Sequence, residues 1–408
     1  MSLATRLRAH RTRLHAAAGT SVGRLRLAYF LYYAAAGTSL PYLAVYLRGK
    51  GFTGGQIGSI QMLPSLLAPF VAMGWARVAD QGGDPVRILR WITAWAACSA
   101  FFLPFAATPL LVGAVVFSQS LGDRAVVPLL DAVSLEHCRA HPGASYARIR
   151  MFGSIGFVVL AFVLGQVLTL RGDRPGDVVV PATVAGFAAC YALAARRLSP
   201  APAAHTDRPA GGELWKLLGN PRLMLLLGAC AIHWCACVPY SLFLGVFVRD
   251  LGLPARVTGA GITAAVLAEI GVMMSFPALE RRFSPRALLA AAFLASALRW
   301  ALLARSTHPA AIIGLQALHG LTYGLFWSTL VKLVGDFVPP RVRATGLALC
   351  SAVVFGGGNA VGAKLAGLGY DHYHSAGPLF LWSAGADLAL AGVVVLLLAH
   401  RAVRGTDG

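Results

Sequence analysis

Apolar runs of roughly twenty residues recur along the whole chain, each bounded by a short polar segment. A helix of that length spans the hydrocarbon core of a bilayer, about 30 Å thick, whereas a helix in a soluble core needs only one apolar face. The runs fall at 25–47, 55–79, 87–106, 109–135, 147–170, 177–196, 222–248, 256–280, 285–304, 309–331, 342–368 and 376–399. The pattern predicts an all-α membrane protein with twelve transmembrane helices, numbered here as spans 1 to 12.

The longest polar interruption, Arg196 to Lys216, is rich in Pro, Ala and charge and separates span 6 from span 7. It predicts a basic cytoplasmic tail at 1–24, an N-terminal six-helix half at 25–196, a cytoplasmic linker at 197–221, a C-terminal six-helix half at 222–399 and a cytoplasmic tail at 400–408. An internal echo supports the division. Span 1 ends Pro41-Tyr42 and then Arg48-Gly49-Lys50-Gly51-Phe52; span 7 ends Pro239-Tyr240 and then Arg249-Asp250-Leu251-Gly252-Leu253. Gly153 and Gly156 of span 5 likewise match the glycines at 356, 357, 358 and 362 of span 11, at the same offset of about 200 residues.

Composition excludes a soluble globule. Charged residues make up 12% of 408 positions, about half the share of an ordinary soluble domain. The net charge of +19 would suggest nucleic acid, but its distribution along the chain argues against that partner. With the N-terminus inside, the cytoplasmic segments hold 25 of the 35 Lys and Arg residues and the outer loops seven. That is the positive-inside asymmetry of a multi-pass protein of a bacterial-type inner membrane with both termini cytoplasmic. Arg6, Arg8, Arg11, Arg13 and Arg24 then form a tail suited to anionic lipid. This tail lacks the apolar stretch of a signal peptide. The seven cysteines show no paired spacing, so disulfides are not expected, and no metal site is expected. Gly357 to Lys364 only mimics a phosphate loop, because Ala363 separates the Gly from the Lys.

Several motifs carry a family resemblance. The turn after span 2 reads Ala76-x-x-x-Asp80-Gln81-Gly82-Gly83-x-x-x-Arg87. Asp131 ends span 4, followed by Tyr146-x-x-x-Arg150-x-Phe152-Gly153. The second half has Glu269, Leu298-Arg299, His319-Gly320-Leu321-Thr322-Tyr323-Gly324-Leu325-x-Trp327, Arg343-Ala344-Thr345-Gly346 and Phe355-Gly356-Gly357-Gly358. This ordered set resembles the branch of the major facilitator superfamily holding phenylpropionate permease-like and nucleoside/proton symporter-like proteins, related to lactose permease. The resemblance covers residues 25–400. It implies the major facilitator fold of two six-helix pseudo-repeats, and secondary active transport of a small solute through a site between the halves. By the same resemblance Glu269, Arg299 and His319 join substrate binding to protonation. One departure stands out: the family pattern has a second carboxylate one turn after the His, where this chain has Thr322.

Ionisable groups inside a span cost about 2.5–3.5 kcal/mol on insertion scales, so each needs a reason to be there. Besides Glu269 and Arg299 they are Asp123, Arg124, Asp131, Lys364 and Asp387. A purely structural network of pairs is one reading; substrate and proton coupling through Asp123, Arg124 and Asp387 is the other. Arg124 and Asp131 share a helical face at i, i+7, so Arg124 either holds an anionic solute group or pairs with Asp131. Arg150 is read as a partner of Asp131, and Asp80, Arg87, Asp131 and Arg150 as a cytoplasmic gate. Lys364 and Asp387 are read as a scaffold pair. Tyr29, Tyr33, His233, Trp234, Tyr240, Tyr323, Phe326 and Trp327 are candidate pocket aromatics, with His319, Tyr323 and Phe326 on one face. The expected activity is proton-coupled import of a sugar, nucleoside or aromatic acid by a monomer with no cofactor. A proton-driven exporter of hydrophobic compounds and a non-transporting sensor on the same fold are the alternatives.

Overall fold

Polar caps and prolines set where the spans begin. Thr53 and Gln56 form a reciprocal capping box at the start of span 2, with Thr53 Oγ1 accepting from Gln56 N at 3.2 Å and Gln56 Oε1 accepting from Thr53 N at 2.9 Å. Spans 3, 4, 7, 9 and 10 each start with a polar cap and a proline: Asp84-Pro85, Thr108-Pro109, Asn220-Pro221, Ser284-Pro285 and His308-Pro309. The cap side chain satisfies a free backbone N–H, and the proline lacks one.

In the computed structural model residues 3–81, 83–141, 143–199 and 213–404 are described. Residues 1–2, 82, 142, the linker segment 200–212, the tail 405–408, and the side chains of Asp80, Glu213, Ala344, 3–20 and 396–404 lie outside the described residues. Spans 1 to 6 are Leu3–Gly49, Gly54–Asp80, Pro85–Phe101, Pro109–Ala140, Tyr146–Leu170 and Val179–Arg196. A short helix, Glu213–Leu218, precedes spans 7, 8 and 9 at Pro221–Asp250, Ala255–Arg282 and Pro285–Leu303. Span 10 is built from Pro309–Leu315 and Phe326–Phe337, and span 11 from Arg343–Cys350 and Asn359–Tyr373. Span 12 is Gly377–Arg404. Among the described residues eleven helices are long and apolar enough to cross a membrane; the twelfth by position is span 1, whose run is diluted by Tyr, Gly, Thr and Ser.

The apolar runs of spans 10 and 11 do not predict their interior irregularity. Gly320–Leu325 and Ser351–Gly358 are π-helical. Both stretches are glycine-rich, and a π turn rotates everything downstream of it relative to a regular α-helix.

The halves meet along spans 2 and 11 and along spans 5 and 8. Small residues make that approach possible: a methyl on Gly58 would overlap the Ala363 carbonyl, and one on Gly259 would lie 2.7 Å from the Ala161 oxygen. One apolar core, including Tyr42, Phe52, Ile57, Phe243, Phe247, Trp300, Tyr370 and Phe380, passes through both halves at the end that carries the turns near 52, 174, 253 and 375. At the opposite end each half has a separate core. Leu89, Leu130 and Ile149 belong to one, and Leu289, Phe326 and Val354 to the other.

Candidate functional site

At the closed end, backbone N–H groups at the start of one half's helix are taken by carboxylates of the other half. Asp371 accepts from Gly54 N at 2.5 Å and Gly55 N at 2.7 Å. Asp173 accepts from Ala255 N at 3.0 Å, beside Thr169 Oγ1, which accepts from Arg256 N at 3.0 Å. Each carboxylate therefore fills the donor-rich N-terminus of a helix, span 2 or span 8. Arg249 adds a bond to the Val45 carbonyl at 3.2 Å.

Below this seal lies a cavity of about 550 Å³ between spans 2, 7 and 11, with Arg124 of span 4 on one wall. Its polar groups include Gln61, Ser65, Arg124, Ser241, Ser351 and Asn359, and its rings are Trp234 and Phe355. The rings meet edge to face, 4.6 Å apart. Asn359 Nδ2 donates to Ser65 Oγ at 2.8 Å, tying span 11 to span 2. The uncharged polar residues Gln61, Ser65 and Asn359 are absent from the sequence expectation, which followed charges and rings; their signal was polarity inside an apolar run.

Beside the cavity, the structure brings Glu269, Arg299 and His319 together. Arg299 is fully buried. Its guanidinium stacks between the faces of Tyr240 and Trp300, at 4.1 and 4.6 Å from the ring centres. One amino group donates to Gln316 Oε1 at 2.6 Å and the other meets His319 Nδ1 at 3.0 Å. An arginine can only donate, so Nδ1 of His319 must accept, which leaves the ring proton on Nε2. That nitrogen faces Glu269 Oε2 at 3.8 Å. Gly320 and Gly324 allow this closeness, because span 10 packs directly on the backbone of Ala268 and Glu269 there.

A second group of buried polar side chains lies one layer away. Asp387 receives Trp300 Nε1 at 2.9 Å and His233 Nδ1 at 2.7 Å, and all three residues are fully buried. The other His233 nitrogen lies 3.4 Å from the Thr322 carbonyl and 3.6 Å from Cys237 Sγ. This corrects the expected Lys364–Asp387 pair: Lys364 donates to Ser59 across the inter-half contact at 2.9 Å. Span 12 packs mainly on spans 7 and 9 and meets span 11 only near its start, at Tyr373 and Trp382, so its acid finds His233 and Trp300.

In the N-terminal half, Asp131 accepts from Tyr29 Oη at 2.5 Å and lies 4.0 Å from Arg150 Nε. Arg150 also donates a short hydrogen bond to Tyr33 Oη and stacks over its ring. Arg150 is near enough to Glu269 for the two charges to interact across the interface. Asp131 is thus engaged by Tyr29 and Arg150 rather than by Arg124, which is exposed on the cavity wall. Asp123 faces Tyr32 Oη at 3.5 Å. Arg87 is exposed. In the matching turn of the second half, Glu280 pairs with Lys332 at 3.5 Å.

The aromatic expectations divide. Trp234 lines the cavity, and Trp327 packs on Phe355, which also lines it. Tyr29, His233, Tyr240 and Phe326 are buried and face neighbouring helices instead. Tyr33 and Tyr323 are half-buried. The shared face of His319, Tyr323 and Phe326 is also corrected: the rings of His319 and Tyr323 stack, 5.7 Å apart, but the π turn rotates Phe326 onto His233 at 4.4 Å.

Comparison with known proteins gives a consistent set of relatives. The profile described as MFS_1 like family matches residues 22–382. The maltose permease of Geobacillus stearothermophilus is 28% identical over 91% of this chain and 93% of its own length. The probable 3-phenylpropionic acid transporter of Escherichia coli (strain K12) is 25% identical over 85% of this chain and 91% of its own. The crystal structure of the nucleoside transporter NupG superposes with a TM-score of 0.83 at 18% identity, over 92% of this chain and 98% of that one, a likeness of fold.

Proposed function

The chain belongs to the MFS_1 like family of major facilitator transporters, and from that premise we propose that it is a proton-coupled symporter importing a small polar or aromatic solute by alternating access. The observation that carries the reading is the contact of Glu269, His319 and Arg299 beside a cavity that is sealed at one end only. The solute seat is the cavity bounded by Gln61, Arg124, Trp234 and Asn359. The proton site is Glu269 with His319.

The arrangement supplies a reason for coupling. His319 cannot take a second proton while its Nδ1 accepts from Arg299, so a proton enters the pair on Glu269 unless Arg299 moves. A carboxylate favours its charged form near a cation and its neutral form when desolvated away from one. Arg150 belongs to the opposite half, so rocking of the halves alters its distance from Glu269 and with it the stability of the proton there. The sealed end carries the outer loops if the basic turns are cytoplasmic. The conformation is then inward-open, and both termini lie inside. One proton moving inward across 100 mV supplies about 2.3 kcal/mol, roughly a fiftyfold accumulation.

The test is external pH in lightly buffered cells expressing the protein, on addition of disaccharides, nucleosides and aromatic acids in turn. Alkalinisation with one class, lost in Glu269→Gln, is the expected result. Uptake that ignores both pH and voltage would overturn proton symport, and no flux of any solute would point to export or sensing.

A further inference from the structure

The charge balance of the cavity narrows the solute, an argument that rests on the cavity being the solute seat. Among the described residues lining it Arg124 is the sole ionisable one, and its side chain is exposed to the space. Neither neighbouring acid lines the cavity. Asp123, next in the chain, is close enough for its charge to interact with that of Arg124, but it is turned about 100° around the helix and faces Tyr32 Oη at 3.5 Å, away from the solute space. Asp131, two turns on, is held by Tyr29 and Arg150. A lone guanidinium in a cleft with apolar walls focuses a positive field into it, and its planar fork matches a carboxylate.

Among the described residues the Gln61 amide and the Ser351 hydroxyl remain free on the cavity wall, while the other uncharged polar groups are largely engaged. Asn359 Nδ2 is already engaged with Ser65 Oγ at 2.8 Å, and the hydroxyls of Ser65 and Ser241 donate to carbonyls of their own helices at 2.8 and 3.1 Å. A polyhydroxylated ligand would find the Gln61 amide and the Ser351 hydroxyl, fewer partners than its hydroxyls lose from water. Trp234 and Phe355 both line the cavity and meet edge to face, so together they form an angled apolar corner against which an aromatic ring can lie.

We propose that the cavity takes an organic monocarboxylate with an aromatic body, its carboxylate on Arg124 and its ring against Trp234 and Phe355. Calorimetric titration of the full-length protein in detergent micelles tests this, with 3-phenylpropionate, its neutral amide, maltose and uridine as probes. The acid is expected to bind about tenfold or more tighter than the amide, as a charge-assisted contact requires. Arg124→Gln is expected to remove that preference and Arg124→Lys to keep part of it. Equal affinity of the wild-type protein for acid and amide overturns the proposal without any variant having to fold, and so does a preference that survives Arg124→Gln. Tight binding of maltose or uridine in preference to the acid, lost in Asn359→Leu, would overturn the carboxylate assignment and keep the cavity as solute seat. Binding of none of the four probes by protein of unchanged melting temperature would overturn both.

Discussion

The two ends of the molecule are held in different ways. At the sealed end one apolar core crosses between the halves, glycines let spans 2 and 11 touch backbone to backbone, and two carboxylates cap helix starts across the interface. At the other end each half closes around its own core, and the cavity opens between them. The two caps occupy equivalent places in the repeat, since Asp173 follows span 5 and Asp371 ends span 11, about 200 residues apart. An exposed cap is worth only about 1 kcal/mol, so the two caps add little to the apolar core in holding this end shut, and the alternating access proposed above needs only that this sum be small. The buried Asp387–His233–Trp300 group lies within one half instead, and has no such need to come apart.

The largest disturbance of this contrast is a wedge at the sealed end. Gly58→Val places methyl groups against the Ala363 carbonyl, an overpacking of about 1–3 kcal/mol. It is expected to lower solute uptake by roughly tenfold or more and to lengthen the distance between spin labels at positions 50 and 253. An unchanged distance distribution would show that the glycine contact does not hold that end shut.

Removal of the caps is milder. Asp173→Ala and Asp371→Ala are each expected to shift the ratio of protein open at the sealed end to protein closed there by about fivefold, and together by roughly 25-fold if independent. The same spin-label distances read this out. A double variant no different from either single one would mean that the two caps do not share the seal.

The smallest effect concerns a contact at the same end but inside one half. Arg171 donates to both oxygens of Asp177, at 2.7 and 3.2 Å. These bonds hold the Asp177 carboxyl below the usual carboxylate range. A depressed folded pKa means that the stabilisation is present above the unfolded value, near 4, and is lost as pH falls through the lower folded value. Asp177→Asn is therefore expected to melt slightly below wild type at pH 6 and level with it at the acid end, as followed by tryptophan fluorescence. A difference that persisted at the lowest pH would exclude this ion pair as its source. The pair lies outside the inter-half seal, so its loss should leave the spin-label distances unchanged.

Much of the architecture is legible in the residues themselves. Twelve apolar runs correspond to twelve spans within a few residues at each end, because length and hydropathy decide spanning before any tertiary contact forms. The exception is the helix of span 1, which begins at Leu3, well before its run at 25. Cap-and-proline pairs such as Asp84-Pro85 and Ser284-Pro285 mark helix starts for a local reason. Partners are another matter. Asp387 shows in the sequence as an acid in span 12, but its choice of His233 and Trp300 over Lys364 depends on which helices lie beside span 12. The rotation of Phe326 away from Tyr323 depends on a π turn that the spacing does not reveal. Gln316, which braces Arg299, and Asn359, which joins the halves, were hidden because uncharged polar residues are common in such helices.

The sequence alone determined that this chain crosses a membrane, how many times, and which ionisable residues must be accommodated there. These follow from the transfer cost of each side chain, which a residue carries wherever it is placed. Tertiary structure alone decided that Arg124 faces the cavity rather than Asp131, that Asp387 turns to His233 and Trp300, and that one end is sealed. Those outcomes depend on the facing of helices far apart in the chain, and a rotation of a single turn is enough to exchange one partner for another.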